Sequence, residues 1–413
     1  MDPKIEGSLW RVVIPASLGT GLSLMGDTSL YAVLPTHTAV AGVSVASIGI
    51  LLSANRIIRL FLNGPMGMAY DRWPRRYLFV TSLFIGALST AIYALTQGFW
   101  PLLVGRLLWG LAWAGIWVGG NTIILDITNH RNRGRWVGIY HASFFLGAAA
   151  GASVGGFLTD WVGYHAAMGI SATLTLVGAI IALIFLPETR HFRQIDINET
   201  ATEEPEPEQP HSSHSIFEMV SAISLLGVNR LIIAGFLLST FGLFLFEQFG
   251  ESVEIGGIIF GTTTLTGLGL GVNSIISMLV IPLMGRWSDQ TTSRWYVAAI
   301  GLVPGVIGLG LVAIALPTTI LLGLPIVAIA GGSSQGLSTA LVGDLSAEKQ
   351  RGRQLGILYT VGDLTSAIAP PLAYSFMIPR FGIQSLYLFG GAIYSLMLLT
   401  AWYWAVQSKQ KQA

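Results

Sequence analysis

Apolar residues in this chain fall into long runs, not the short alternations of a soluble domain. A helix needs about 20 mostly apolar residues to cross a ~30 Å hydrocarbon core. Runs of that length recur at 11–34, 44–68, 77–97, 99–124, 137–158, 164–187, 229–249, 264–285, 295–316, 318–342, 355–378 and 384–406. The pattern predicts an all-α polytopic membrane protein with twelve transmembrane helices. No charged leader with a small-residue cleavage site precedes the first run, which is long enough to stay as a span.

The polar connections predict the orientation. With both termini on one side, that side holds Arg72, Arg75, Arg76, Arg131, Arg133, Arg135, Arg190, Arg193, Arg230, Arg286, Arg294, Lys349, Arg351 and Arg353, with Lys4, Arg11, Lys409 and Lys411 at the ends. The opposite connections hold only Arg380. Positive-inside bias therefore predicts cytoplasmic termini in a multi-pass cell-membrane (inner or plasma membrane) protein. Residues 188–227 break the rhythm: Glu203-Glu204-Pro205-Glu206-Pro207-Glu208-Gln209-Pro210 is too polar and Pro-rich to pack. This segment reads as a cytoplasmic linker joining a six-helix bundle at 1–187 to a second at 228–413.

Composition narrows the function. Only 10% of residues are charged, against about 25% in soluble proteins, and 52% are hydrophobic. That leaves too little charge to solvate a soluble enzyme, and 22 Lys+Arg against 21 Asp+Glu leave no basic surplus for nucleic acid. The chain has no cysteine, hence no disulfide, thiolate metal site or Cys nucleophile. It has no Gly-x4-Gly-Lys-Ser/Thr loop and no Ser/His/Asp grouping, and His141 and the other histidines form no ligand cluster with acids. No enzyme activity, cofactor, metal or built-in ATP motor is expected.

The two halves repeat at a constant offset of 218 residues. Gly67 matches Gly285, Asp71 matches Asp289, Arg76 matches Arg294, Asp126 matches Asp344, and Arg133-Gly134-Arg135 matches Arg351-Gly352-Arg353. Six spans per half make the repeat parallel, a transporter architecture with its binding site near the membrane midplane between the halves.

These residues resemble the major facilitator superfamily over essentially the whole chain. The family's loop motif stands here as Gly67-Met68-Ala69-Tyr70-Asp71-Arg72-Trp73-Pro74-Arg75-Arg76, with Pro74 where Gly is usual. Span 5 carries Gly147-x-x-x-Gly151-Ala152-x-x-Gly155-Gly156, similar to the antiporter motif of the drug:proton exporter branch with Ala152 replacing its Pro. The repeat partner of Ala152 is Pro370, so the kinking residue falls in span 11. Arg106-x-x-x-Gly110 and Asp27-x6-Leu34-Pro35 are similar to patterns of the same branch. The resemblance implies alternating access by a monomer, with Asp71 pairing with Arg75, Asp126 and the start of span 11 as a cytoplasmic latch. Asp289, Arg294 and Asp344 form its weaker twin, because Ser293 stands where Arg75 does. Gly147, Gly151 and Gly155 share one helical face, which serves close packing, rocking of the halves, or both.

Charges inside spans cost about 2.5–3.5 kcal/mol each at a helix centre and call for a function. Asp27 and Arg106 lie at matching depths in spans 1 and 4 and are expected to face each other. Asp27 is the first candidate for the proton carrier, modulated by Arg106; Glu247, which could instead lie among the headgroups, and Asp363 follow. Arg56 and Arg59 share a face of span 2. Arg59 either snorkels to the interface or lines a cavity, and Arg56 either serves that cavity or pairs with Asp27. The second half has Ser274 and Ser277 at these positions, so the fold itself does not demand arginine there. Trp113 and Trp117 share the face of Arg106 and either pack or line the substrate cavity opposite Gln335, which neighbours Ser333 and Ser334. More buried arginine than acid suits an amphipathic cargo bearing carboxylate or phosphate. The expectation is proton-coupled efflux of a small amphipathic molecule. Uptake symport of a metabolite, lipid translocation or sensing on the same fold are the alternatives.

Overall fold

The computed structural model describes residues 3–129, 132–190, 215–346 and 350–410. The acidic Pro-rich tract at 203–210, and Arg131, Arg193, Lys349 and Lys411, lie outside the described residues. Among the described residues twelve long helices follow one another. The first six are α1 (Pro3–Val33), α2 (Val45–Arg72), α3 (Arg75–Leu95), α4 (Phe99–Asp126), α5 (Arg133–Val162) and α6 (Tyr164–Phe185). Then come α7 (Ile216–Phe249), α8 (Thr262–Asp289), α9 (Arg294–Ala313), α10 (Pro317–Leu345), α11 (Arg351 to Phe381) and α12 (Ile383–Gln410). Ten are long and apolar enough to cross a membrane by length and composition. The other two, α1 and α11, carry Asp27 and Asp363 in their midst.

Three boundaries differ from the reading of the apolar runs. Helix α7 begins at Ile216, where the Ser215 hydroxyl accepts from the Phe217 N–H. Glu218, Ser221, Ser224 and Asn229 interrupt the apolar run but not the helix, because the buried face continues through Ala222, Leu225 and Leu226. Arg230 therefore sits inside a span, not in a connection, and the linker ends before it. Between α7 and α8 a hairpin forms, β1 (Ser252–Ile255) antiparallel to β2 (Ile258–Gly261). Gly256 and Gly257, at φ +60° and +82°, make the two-residue turn that twisted hairpins need. Glu188 to Arg190, assigned to the linker, belong instead to the packed first half.

The packing repeats with the sequence. Helix α1 packs on α5 and α6, α2 on α4, and α3 on α4 and α6. Helix α7 likewise packs on α11 and α12, α8 on α10, and α9 on α10 and α12. The halves meet along α5 with α8 and α2 with α11. The tightest backbone approaches lie towards the hairpin end. A Cβ at Gly49 would lie 2.7 Å from the Pro370 carbonyl, and one at Gly156 would collide with the Thr263 carbonyl. Towards the loop-motif end, Gly67, Gly138, Gly285 and Gly356 have nothing within 4 Å of such a position. The halves are packed closely at the hairpin end, whereas these four glycines stand clear of neighbouring elements among the described residues.

Closure at the hairpin end has a polar clasp. The Asp160 carboxylate at the end of α5 accepts from the Thr264 N–H (2.7 Å) and hydroxyl (2.6 Å), satisfying an orphan donor of α8's first turn across the halves. Nearby, His37 packs on the Tyr164 ring. Burial holds the His37 imidazole below its ordinary range, against the pull of its Val33 carbonyl bond and of Asp160 and Glu251.

Candidate functional site

Helices α1, α2 and α4 converge on one guanidinium. Arg106, fully buried, donates from Nη1 to Asp27 Oδ1 (2.5 Å), from Nε to the Leu51 carbonyl (3.0 Å) and from Nη2 to the Tyr31 hydroxyl (3.0 Å). The Tyr31 hydroxyl in turn donates to the Leu52 carbonyl at 3.1 Å. A charge buried this completely persists only with such partners. Asp27 keeps 13% exposure while Arg106 has none, so the acid is the member of the pair that water can reach. Arg56 and Arg106 both lie over the Tyr31 ring, each 5.2 Å from its centroid. Tyr31 was not singled out from the sequence. The signal for it is its place one turn beyond Asp27 on the same face of α1.

A second cluster joins the halves. Arg56 does not pair with Asp27. It donates to the Ser366 carbonyl of α11 and the Ala234 carbonyl of α7, both at 2.7 Å. The Ser366 carbonyl lacks its helical donor because residue 370, four positions on, is proline. Helix α7 runs as a wide π turn over Arg230–Leu237, and a carbonyl is released where such a turn returns to the α form. Arg59 does not snorkel; it donates to Asp363 Oδ1 at 2.8 Å. Asp363 is thus an arginine-paired acid, also approached by Asn63 Nδ2 at 3.5 Å. Arg230 lies in the field of Asp363, Arg59, Tyr359 and Arg56. A Cβ at Gly362 would lie 3.2 Å from its stem. Among the described residues the arginines within spans away from the motif thus number four, Arg56 and Arg106 buried and Arg59 and Arg230 half-buried, Arg230 being the one that the apolar-run boundaries concealed.

The loop motif assembles a junction at the motif end. Arg75 Nε donates to Asp126 Oδ2 at 3.1 Å, with both side chains almost wholly buried, and the Thr189 hydroxyl donates to the same oxygen at 3.3 Å. Glu188 accepts the backbone N–H groups of Arg75 (3.0 Å) and Arg76 (3.1 Å), the first donors of α3. Arg190 donates to the carbonyls of Arg72 (2.8 Å) and Asp71 (3.4 Å), the last acceptors of α2. Arg76 reaches the Leu183 carbonyl. One short segment after α6 therefore neutralises both helix ends that the motif joins. The expected approach of Asp71 to the first residues of span 11 involves side chains at 351 and 352, which lie outside the described ones. In the second half Arg294 bridges Asp289 and Asp344, at 2.5 Å each. Ser293, in the place of Arg75, accepts from the Ser408 hydroxyl instead.

The remaining candidates divide. A Cβ at Gly147, Gly151 or Gly155 would strike Gly21, Thr28 or Ser29 of α1, so this stripe packs within its own half. Gly156, with Ala149, Ala152 and Ser153, faces Thr263, Gly267 and Gly271 of the other half. Pro370 packs against Gly49. Trp109, Trp113, Trp117 and His141 form a continuous stack, with centroids 5.9, 5.8 and 5.0 Å apart. Within it Trp113 is buried and Trp117 half-buried. His141 Nε2 lies 3.0 Å from Asn121 Oδ1. Ser333 and Ser334 are buried, leaving half-buried Gln335 as the accessible member of that group. Glu247 is exposed two residues from the hairpin end of α7 and is not brought to the Asp27–Arg106 pair.

Known proteins fit this arrangement. The sequence profile of the Major Facilitator Superfamily matches residues 16–264 and 254–413. The chain is 27% identical to the class E tetracycline resistance protein of Escherichia coli over 378 residues, 89% of this chain and 88% of that protein. It is 27% identical to the 4-hydroxybenzoate transporter PcaK of Pseudomonas aeruginosa over 183 residues, 44% of this chain and 41% of that one. Among solved structures, a bacterial homologue of the human lysosomal transporter Spinster superposes with a TM-score of 0.71 at 17% identity. That match covers 96% of this chain and 94% of the other.

Proposed function

This chain belongs to the Major Facilitator Superfamily, and from that premise we propose that it exports a small amphipathic molecule in exchange for protons. The loop-motif end and both termini are cytoplasmic in this reading, so the present arrangement faces inward. The membrane is the cell's inner or plasma membrane, and one chain is the working unit. The first half, 1–187, rocks against the second, 228–413.

The observation that carries the reading is the Asp27–Arg106 pair. A carboxylate in a low-dielectric setting stays ionised beside a guanidinium and takes a proton once that partner is lost. Arg106 is held by three further groups of α1 and α2, the Leu51 and Leu52 carbonyls and the Tyr31 hydroxyl, whereas Asp27 is held by Arg106 and is accessible to water. Proton binding at Asp27 then costs one ion pair without dismantling the site. Asp71, backed by Arg75 and Asp126, closes on the start of α11 as the cytoplasmic latch when the protein opens outward, and the Asp160–Thr264 clasp is the external one. Cargo is held between the Trp113–Trp117 wall, Gln335 and Arg59, with Arg56 holding the seam beside it.

The test compares a strain lacking the gene, the same strain carrying this protein, and one carrying Asp27→Asn, with medium and cell contents profiled by mass spectrometry. Export predicts a compound that leaves the cell only with the intact protein and stops leaving when the proton gradient is collapsed. Depletion of a compound from the medium instead would reverse the direction. Uptake of an organic anion is the second reading, favoured by the surplus of buried arginine.

A further inference from the structure

The seam of α2, α7 and α11 holds three guanidinium groups, those of Arg56, Arg59 and Arg230, and one carboxylate, Asp363, which faces Arg59 and Arg230. Their needs are met unequally. Arg56 is engaged by two carbonyls and the Tyr31 ring. Arg59 uses one nitrogen on Asp363, and its Nε is buried without a hydrogen-bond partner. Among the described residues the Arg230 guanidinium makes no hydrogen bond or ion pair. Three cations and one carboxylate leave the seam with net positive charge, half-buried at Arg59 and Arg230, and such a site favours an added anion. Arg59 and Asp363 retain 15% and 25% exposure, so solvent reaches the pair. A solute entering there meets a rigid donor set suited to two oxygens.

We propose that Arg59 and Arg230 form an oxyanion subsite, in which a carboxylate or phosphate group of a water-borne solute binds between them in competition with Asp363. Asp363 is then the resident counter-ion that keeps Arg59 engaged when no solute is present. Arg56, on the same seam, ties the halves and leaves the fork of Arg230 to the solute. The subsite deepens the transport reading by naming the chemistry of the cargo, yet it stands on binding alone, whatever the direction or coupling of transport.

Purified full-length protein is followed by thermal unfolding at fixed ionic strength with benzoate, phenyl phosphate or the neutral benzamide. One of the two anions should raise the midpoint by about 2 °C at saturating concentration, and benzamide should not. The shift should vanish in Arg230→Gln and persist in Asp27→Asn, and Asp363→Asn should bind the anion about tenfold more tightly because its competitor is gone. The proposal is overturned if neither anion shifts the midpoint, if benzamide acts equally, if Arg230→Gln keeps the shift, or if Asp363→Asn weakens binding. Protection by phosphatidylglycerol micelles in place of the soluble anions would likewise overturn it, by assigning the donors to a lipid headgroup. Failure of proton-coupled export with these shifts intact would sink the export reading and leave the subsite standing.

Discussion

The carbonyl of Ser366, deprived of its helical donor by Pro370, is taken by Arg56 from the opposite half of the molecule at 2.7 Å. A proline in one bundle and an arginine in the other thereby become a single structural unit. The seam between α2 and α11 depends on it.

Arg56→Gln should loosen that seam. Charge-assisted bonds contribute about 1.5–3 kcal/mol each, and two are lost together with the contact to Tyr31. The chain has no cysteine, so a pair introduced at Ala46 and Gln384 for spin labels reports the hairpin end without background. The expected outcome is a longer and broader distance distribution than in the parent. An unchanged distribution would mean that the α5–α8 contact alone closes this end.

Asp27→Asn should leave the fold intact and abolish gradient-driven transport, because Arg106 retains Leu51 and Tyr31 as partners. Arg106→Ala should instead destabilise the protein by about 2–4 kcal/mol, because it leaves the buried Leu51 carbonyl without its donor, removes a partner of the Tyr31 hydroxyl and empties a buried site. Arg106→Lys should not rescue it, since an ammonium cannot reach Leu51, Asp27 and Tyr31 from one planar fork. Thermal unfolding and vesicle transport, measured on the same three variants, separate these outcomes.

Glu188→Ala should cost about 1–2 kcal/mol by exposing the first donors of α3. Arg190→Ala should cost less, because it caps exposed carbonyls at the end of α2. If Glu188 is part of the cytoplasmic latch, Glu188→Ala should also hasten labelling of a cysteine placed at Gly67. Equal labelling rates in parent and variant would confine Glu188 to a capping role.

His37 makes the protein acid-sensitive at its hairpin end. Its folded-state pKa lies below the unfolded value of 6.5, so the unfolded chain takes up the proton first. Stability contributed by neutral His37 is therefore full above about pH 7 and declines as pH falls from 6.5 towards the folded value. The unfolding midpoint of His37→Gln should fall less than that of the parent between pH 7.5 and 5.5. Parallel curves would assign the acid sensitivity to other groups.

Twelve apolar runs, the 218-residue repeat and the pairing of Asp27 with Arg106 were legible in the chain because each depends on local quantities. Run length is set by membrane thickness, repeat register by matched residues, and depth by a fixed rise per residue. The partners of Arg56, Arg59 and Arg230 were not legible. Arg56 binds backbone carbonyls, which every residue possesses and which become available only where Pro370 and the wide turn of α7 release them. Arg230 hid behind polar residues that interrupt an apolar run without interrupting a helix. Glu188 and Arg190 looked like linker because charge and proline signal exposure, whereas here the charges answer the unpaired ends of two helices. The sequence by itself determined where the long apolar helices fall, the repeat that relates the two halves, and the matching depth of Asp27 and Arg106. Tertiary structure decided which charges meet, because a helix fixes the height and angle of a side chain but not the neighbour brought against it.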